Sequence, residues 1–243
     1  MLAKTFLQKA SDFIGRHLES PLCLKCGSFQ IQNSGFCASC EKNFLQPLFH
    51  FHRVKGHKAQ NLLVLESSSA LNLNVYSFVC WKKNASDSLS EWVYLLKNKT
   101  SQARWDWIAR NISSDREIQE LKLNQNSALI PIPGHRKSHH TKNFCKSLSQ
   151  VFGCRVIENT FSLLHSDRQQ KHLKRQERSN IELRLNEEIT GLLAGAERLV
   201  LVDDIITTGA TLNSAAQVLY RARINQDLQH SKQISCVTLF YRV

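Results

Sequence analysis

The chain has 243 residues, 42% of them hydrophobic, enough for one ordinary buried core with length left for a small appended module. A net charge of +12 and a pI near 9.5 predict a polyanionic partner, whether nucleic acid, nucleotide or anionic lipid, because a basic surface concentrates phosphates around itself. No apolar run approaches the roughly 18 residues of a membrane span, and no hydrophobic stretch with a small-residue cleavage site opens the sequence; a cytoplasmic protein is expected.

Residues 2 to 18 set Leu2, Phe6, Ala10, Phe13, Ile14 and Leu18 on one face at helical spacing, which predicts a short docked helix over residues 1–19. Residues 20–45 then carry Cys23-x2-Cys26, ten intervening residues, and Cys37-x2-Cys40. Each pair offers two thiolates at tetrahedral spacing, and together the four make a closed site for a structural Zn2+. Gly27 and Gly35 stand where tight knuckle turns want them. Such a site leaves no position for substrate, so its role is folding, and its loss is expected to loosen residues 20–45 alone. The other cysteines, Cys80, Cys145, Cys154 and Cys236, lie in or beside apolar stretches and argue against a disulfide framework.

Residues 46–126 give weaker signals: a strand over Leu73–Val79, a loop over 84–90, and a helix from Glu91 to Asn111 around Trp92, Leu95, Leu96, Trp105 and Ile108. Residues 127–243 are the most regular part. An apolar run Ala128–Ile132 precedes a helix over 140–152, a strand Arg155–Ile157 and a basic connection over 165–184. The run Leu199–Val202, a helix Ala210–Arg221 and a strand Ile234–Tyr241 follow. Short apolar runs alternating with helical patterns predict an α/β domain with a parallel sheet covered on both faces, whose ligands sit beyond the carboxyl ends of the strands.

Such an end is marked by Asp203 and Asp204, two adjacent carboxylates at the close of a buried strand. Thr207-Thr208-Gly209-Ala210-Thr211 follows, supplying hydroxyls, a glycine that lets backbone approach a ligand, and N–H groups at the start of a helix. That combination suits a phosphate. The carboxylates would accept from sugar hydroxyls, directly or with Mg2+ bridging to pyrophosphate oxygens. The same residue types also serve as turn formers and helix N-caps.

The segment from Leu199 to Thr211 resembles the signature for 5-phosphoribosyl 1-pyrophosphate (PRPP) of type I phosphoribosyltransferases: apolar strand, two acidic residues, two apolar, then Thr-Thr-Gly-x-Thr. The resemblance implies that Asp203 and Asp204 contact the ribose hydroxyls and that Thr207 to Thr211 wrap the 5-phosphate. The family's 6-oxopurine enzymes hold an aspartate where this chain has Thr207, which disfavours hypoxanthine or guanine as acceptor.

The four-cysteine ribbon, the Leu95-Leu96-Lys97 element, the Ile130-Pro-Ile-Pro-Gly-His-Arg136 stretch, Gln170-x2-Leu173 and Glu177-Arg178-x-Asn180, together with the PRPP segment, are similar to the ComF competence family (ComFC/GntX-like). Thr141-Lys142-Asn143-Phe144-Cys145 departs from the Arg-Gly-Phe-Asn-Gln usual there. The likeness implies a hood-like region within 46–126, His135 and Arg136 on the pyrophosphate side, and a part in DNA uptake during natural transformation, with competence proteins such as a DNA translocase as partners. It leaves open an active phosphoribosyltransferase with an unidentified acceptor, or a PRPP-sensing regulator.

Between residues 130 and 184, eleven Lys and Arg stand against four Asp and Glu. Lys137, Lys142, Lys171, Lys174, Arg175 and Arg178 are candidates to track the phosphates of single-stranded DNA, with Phe144, His165 or His172 stacking on bases. A charge run of this kind also occurs as a plain solvated face.

Overall fold

The computed structural model describes residues 22–49, 52–53, 74–81, 87–98, 102–134, 139–163, 183–224 and 233–242. The expected helix over residues 2 to 18 and nearly all of the basic connection lie outside them.

Four helices share one rule of construction, apolar residues at i, i+3, i+4 and i+7. In α1 (Asp87–Asn98) the buried row is Leu89, Trp92, Val93 and Leu96; in α2 (Gln102–Ser113) it is Trp105, Ile108, Ala109 and Ile112, with Arg104 and Trp107 buried beside it. A five-residue helix, α3 (Arg116–Glu120), follows α2. In α4 (His140–Phe152) the buried row is Thr141, Phe144, Cys145 and Leu148, with threonine in the first apolar place and Ser147 buried beside it. After the short α5 (Thr190–Ala194), α6 (Ala210–Ile224) buries Leu212, Ala215, Ala216 and Leu219.

The strands are β1 (His52–Arg53), β2 (Asn74–Trp81), β3 (Ser127–Pro131), β4 (Arg155–Val156), β5 (Phe161–Leu163), β6 (Leu183–Leu185), β7 (Arg198–Ile206) and β8 (Gln233–Arg242). Six of them form one sheet in the order β1-β2-β8-β7-β3-β4, parallel throughout except that β1 runs antiparallel at its edge. β5 and β6 make a separate antiparallel pair. Parallel neighbours need a crossover, and α4 supplies it between β3 and β4 as α6 does between β7 and β8. The chain is therefore an α/β protein with five parallel strands and a cysteine cluster near its N-terminus.

β7 lies in the middle of this sheet, between β8 and β3, and its side chains alternate from Leu199 to Val202. Val200 and Val202 join a core with α1, α2 and α4, while Leu199 and Leu201 join a second core beneath α6. The first core also takes in Cys23, Phe36 and Leu45, so the four-cysteine unit packs on the same side of the sheet as α1. Cys145, Cys154 and Cys236 are buried as expected of reduced core thiols, and desolvation raises all three. Cys80 is instead exposed.

Several expectations need correction. The helix read over 91–111 is two helices, and the first begins at Asp87, inside the expected loop, because Leu89 supplies its first apolar contact. β7 does not stop at Val202: Asp203, Ile205 and Ile206 pair with Thr238, Phe240 and Tyr241 of β8. The carboxylates thus belong to the strand.

Candidate functional site

β7 delivers Asp203 and Asp204 to the carboxyl end of the sheet, and Thr207, Thr208 and Gly209 turn the chain into α6. Gly209 has φ +76°, a left-handed conformation that costs an L-residue about 1–2 kcal/mol, and it is what lets the loop fold back over the strand end. The first α6 bond, Asn213 N–H to Gly209 O, is 2.8 Å, and the Ala210 N–H meets Thr208 Oγ1 at 3.4 Å. Thr207 and Thr208 are exposed. Asp203, Thr207, Thr208, Gly209, Ala210 and Thr211 all line one hollow of about 230 Å³ that opens to solvent. Threonine hydroxyls, backbone N–H groups at the start of a 15-residue helix and a carboxylate are what a phosphorylated sugar needs.

The two carboxylates differ in setting. Asp203 is half-buried, and its Oδ1 accepts from the Asp204 N–H at 2.8 Å. Desolvation, and then the neighbouring Asp204 charge, push it well above the ordinary carboxylate range. Asp204 is 8% exposed, and its Oδ2 lies 3.1 Å from Lys97 Nζ and 3.3 Å from His140 Nε2. These are ion-pair distances rather than aligned hydrogen bonds. Burial pushes Asp204 upward, but His140 and Lys97 outweigh it and hold its carboxyl far below the usual range. The pair is split into an ionised member and one that retains its proton more readily, an arrangement seen where carboxylates take different roles.

Sequence reasoning missed His140 as a site residue and used Lys97 only as part of a resemblance. The signal for His140 was its place in the same helical row as the buried Phe144 and Leu148, at the end of α4 that opens onto the strand termini.

The basic candidates fare differently. His135, Arg136, Lys137, Lys171, Lys174, Arg175 and Arg178 lie outside the described residues, as do His165 and His172. Lys142 pairs with Glu158 at 2.9 Å, both about one-third exposed, so its charge is matched on the protein. Phe144 is fully buried with its ring 5.4 Å from that of Trp105, and it is removed from the base-stacking set because it faces the core side of α4.

The cysteine unit meets the geometric test for a metal. The four sulfurs of Cys23, Cys26, Cys37 and Cys40 lie within 4.8 Å of one another, and Cys26 and Cys37 are 3.7 Å apart. A tetrahedron with Zn–S bonds of about 2.3 Å has edges of about 3.8 Å. Gly27 and Gly35 take φ of +74° and +88°, as the knuckle turns require. Burial raises the Cys23 thiol, yet backbone N–H groups of Cys37, Cys26 and Lys25 bring it down to about 6, while burial and the neighbouring sulfurs push Cys40 up to about 12. Four crowded sulfurs cannot all ionise without a cation among them, and a zinc ion suits the set.

Among the described residues no helix is long and apolar enough to cross a membrane. No protein-family model and no curated protein matches the chain. A solved hypoxanthine phosphoribosyltransferase from Staphylococcus aureus is similar with a TM-score of 0.36 and 13% identity, over 58% of this chain and 64% of that one. The chain spans less than two thirds of that structure, and the α/β assignment rests on the order and direction of its own strands.

Proposed function

We propose that the chain binds PRPP in the hollow at the end of β7. The observation that carries this reading is the convergence of Asp203, Thr207, Thr208 and the left-handed Gly209 on one solvent-open concavity at the carboxyl end of the central strand. The 5-phosphate takes the loop N–H groups and the threonine hydroxyls, and the sugar hydroxyls donate to the carboxylate side. Mg2+ supplied with the pyrophosphate would neutralise its charge, and the carboxylate side of the hollow, with Asp203, would be the place to hold it.

The likeness of the sequence to the ComF family extends this to a cytoplasmic, zinc-stabilised accessory protein that handles single-stranded DNA during natural transformation, with His135 and Arg136 on the pyrophosphate side. The strongly basic balance of residues 130 to 184 favours that partner. A second reading, a working phosphoribosyltransferase, is favoured by Lys97, which ties α1, within the expected hood, to the carboxylate end of the site. PRPP titrated in the presence of Mg2+ is expected to bind one molecule per chain, and an absence of saturable binding contradicts the proposal. Release of pyrophosphate with one member of a panel of bases and amines selects the transferase; binding without release selects the accessory protein.

A further inference from the structure

The two carboxylates of β7 face different neighbours. The side-to-side order of Leu199, Val200, Leu201 and Val202 is not kept to the end of the strand, where Ile205 packs with the core of α1 and α4 and Ile206 with that of α6, so the contacts of each carboxylate decide its side. Asp203 lines the hollow with the loop residues, whereas Asp204 is not part of its wall. Asp204 instead holds Lys97, from the last turn of α1, and His140, the first residue of α4, on a single buried oxygen.

We infer that the adjacent carboxylates divide their labour: Asp203 is the acceptor for the sugar hydroxyls, and Asp204 is a positioning residue that anchors α1 and α4 to the rim of the site through Lys97 and His140. This rests on the PRPP reading and assigns roles within it. Asp204 Oδ2 is already taken up by Lys97 Nζ and His140 Nε2, whereas Asp203 stays on the wall of the hollow. The electrostatics run the same way, since the member beside Lys97 and His140 is the ionised one. The tether joins elements from distant parts of the sequence, so it governs how α1 and α4 sit against the end of β7.

Calorimetric titration of PRPP with Mg2+ into single and double variants, alongside their melting curves, tests the inference. Asp203→Asn is expected to lower affinity by more than about tenfold, because a carboxyl oxygen facing the sugar hydroxyls is replaced by an amide nitrogen that cannot accept from them. Asp204→Asn and Lys97→Met are each expected to lower it by roughly threefold to tenfold, and the double variant by no more than the larger single effect, because both cut one tether. His140→Gln gives a smaller loss of the same kind, and Lys97→Arg restores binding, which a simple packing role for the lysine stem would not require. The inference is overturned if Asp204→Asn loses as much as Asp203→Asn while Lys97→Met and His140→Gln bind as wild type, for Asp204 is then itself a sugar ligand. Additive losses in the double variant, or wild-type binding by both Asp204→Asn and Lys97→Met, overturn it as well. A wild-type chain that fails to bind PRPP is a separate outcome: it removes the proposed function, and these roles with it.

Discussion

The indole N–H of Trp92 donates to the carbonyl oxygen of Ser34 at 3.0 Å, joining α1 to the loop between the two cysteine pairs across 58 residues of sequence. The same ring meets Phe36 edge-on at 6.4 Å and Phe240 of β8 at 5.7 Å. Ser34 and Phe36 are fully buried, so the cysteine unit and the central sheet share one core.

Loss of the metal site therefore reaches further than residues 20–45. The protein is expected to carry about one zinc per chain, and Cys37→Ser with Cys40→Ser to lower a single melting transition for the whole fold and shift Trp92 emission to the red. Phe36→Ala, which leaves the ligands in place, should cost about 3–5 kcal/mol by opening a cavity against Trp92. Zinc content by elemental analysis and melting by near-ultraviolet circular dichroism check both; two separate transitions, or zinc-free reduced protein, would contradict the account.

Asp203 costs stability. Its folded-state pKa is raised, so above about pH 4 the native chain holds a proton that the unfolded chain has released, and stability falls as pH rises through that window. Asp204 acts oppositely: its folded-state pKa is depressed, so its contribution is present above about pH 4 and is lost as pH falls further. Asp203→Asn is expected to raise the melting temperature at pH 7, by about 2–4 °C for each kcal/mol of repulsion and desolvation removed. The gain should shrink to nothing below about pH 4. A stabilisation that persists unchanged into acid would show the sign to be wrong.

Gly209→Ala tests the loop without touching a charge. At φ +76° the added Cβ is strained by about 1–2 kcal/mol, and relief of that strain moves the loop N–H groups. PRPP affinity is expected to drop more than about tenfold while zinc content stays the same. Retained affinity in the folded variant, measured by calorimetry, would place the phosphate elsewhere.

How much of this was legible in the sequence depends on what each residue had to satisfy. The helices over 140–152 and 210–221 were visible because their apolar residues repeat at helical spacing, and the second runs on to Ile224. The full length of β7 was not, because Asp203 and Asp204 interrupt its apolar run, and only pairing to β8 shows that the strand continues. The β5–β6 pair escaped notice because three residues are too few to show alternation. The cysteine site could be read from spacing alone, since its geometry is local. The Lys97–Asp204–His140 group could not: it joins residues 97, 140 and 204, and sequence periodicity says nothing about which strand end meets which helix end.

Binding of single-stranded DNA, if the basic stretch tracks its phosphates, should weaken steeply with salt, each neutralised phosphate adding about −0.7 to the log–log slope. A slope near −3 corresponds to about four contacts. Charge reversal at Lys171, Lys174 and Arg175 is expected to flatten it, whereas Lys142→Gln should change it little because Lys142 is already paired with Glu158. Fluorescence anisotropy against salt measures this; an unchanged slope in the triple variant would remove these residues from the DNA contact.

The most direct test of the central claim is calorimetry of PRPP with Mg2+ on the wild-type chain and on Asp203→Ala combined with Asp204→Ala, with zinc content and melting confirming that the variant is folded. Each charge-assisted hydrogen bond is worth about 1.5–3 kcal/mol, so the account predicts saturable one-to-one binding by the wild type and a loss of more than about tenfold in the double variant. Equal PRPP affinity in the two folded proteins would contradict it.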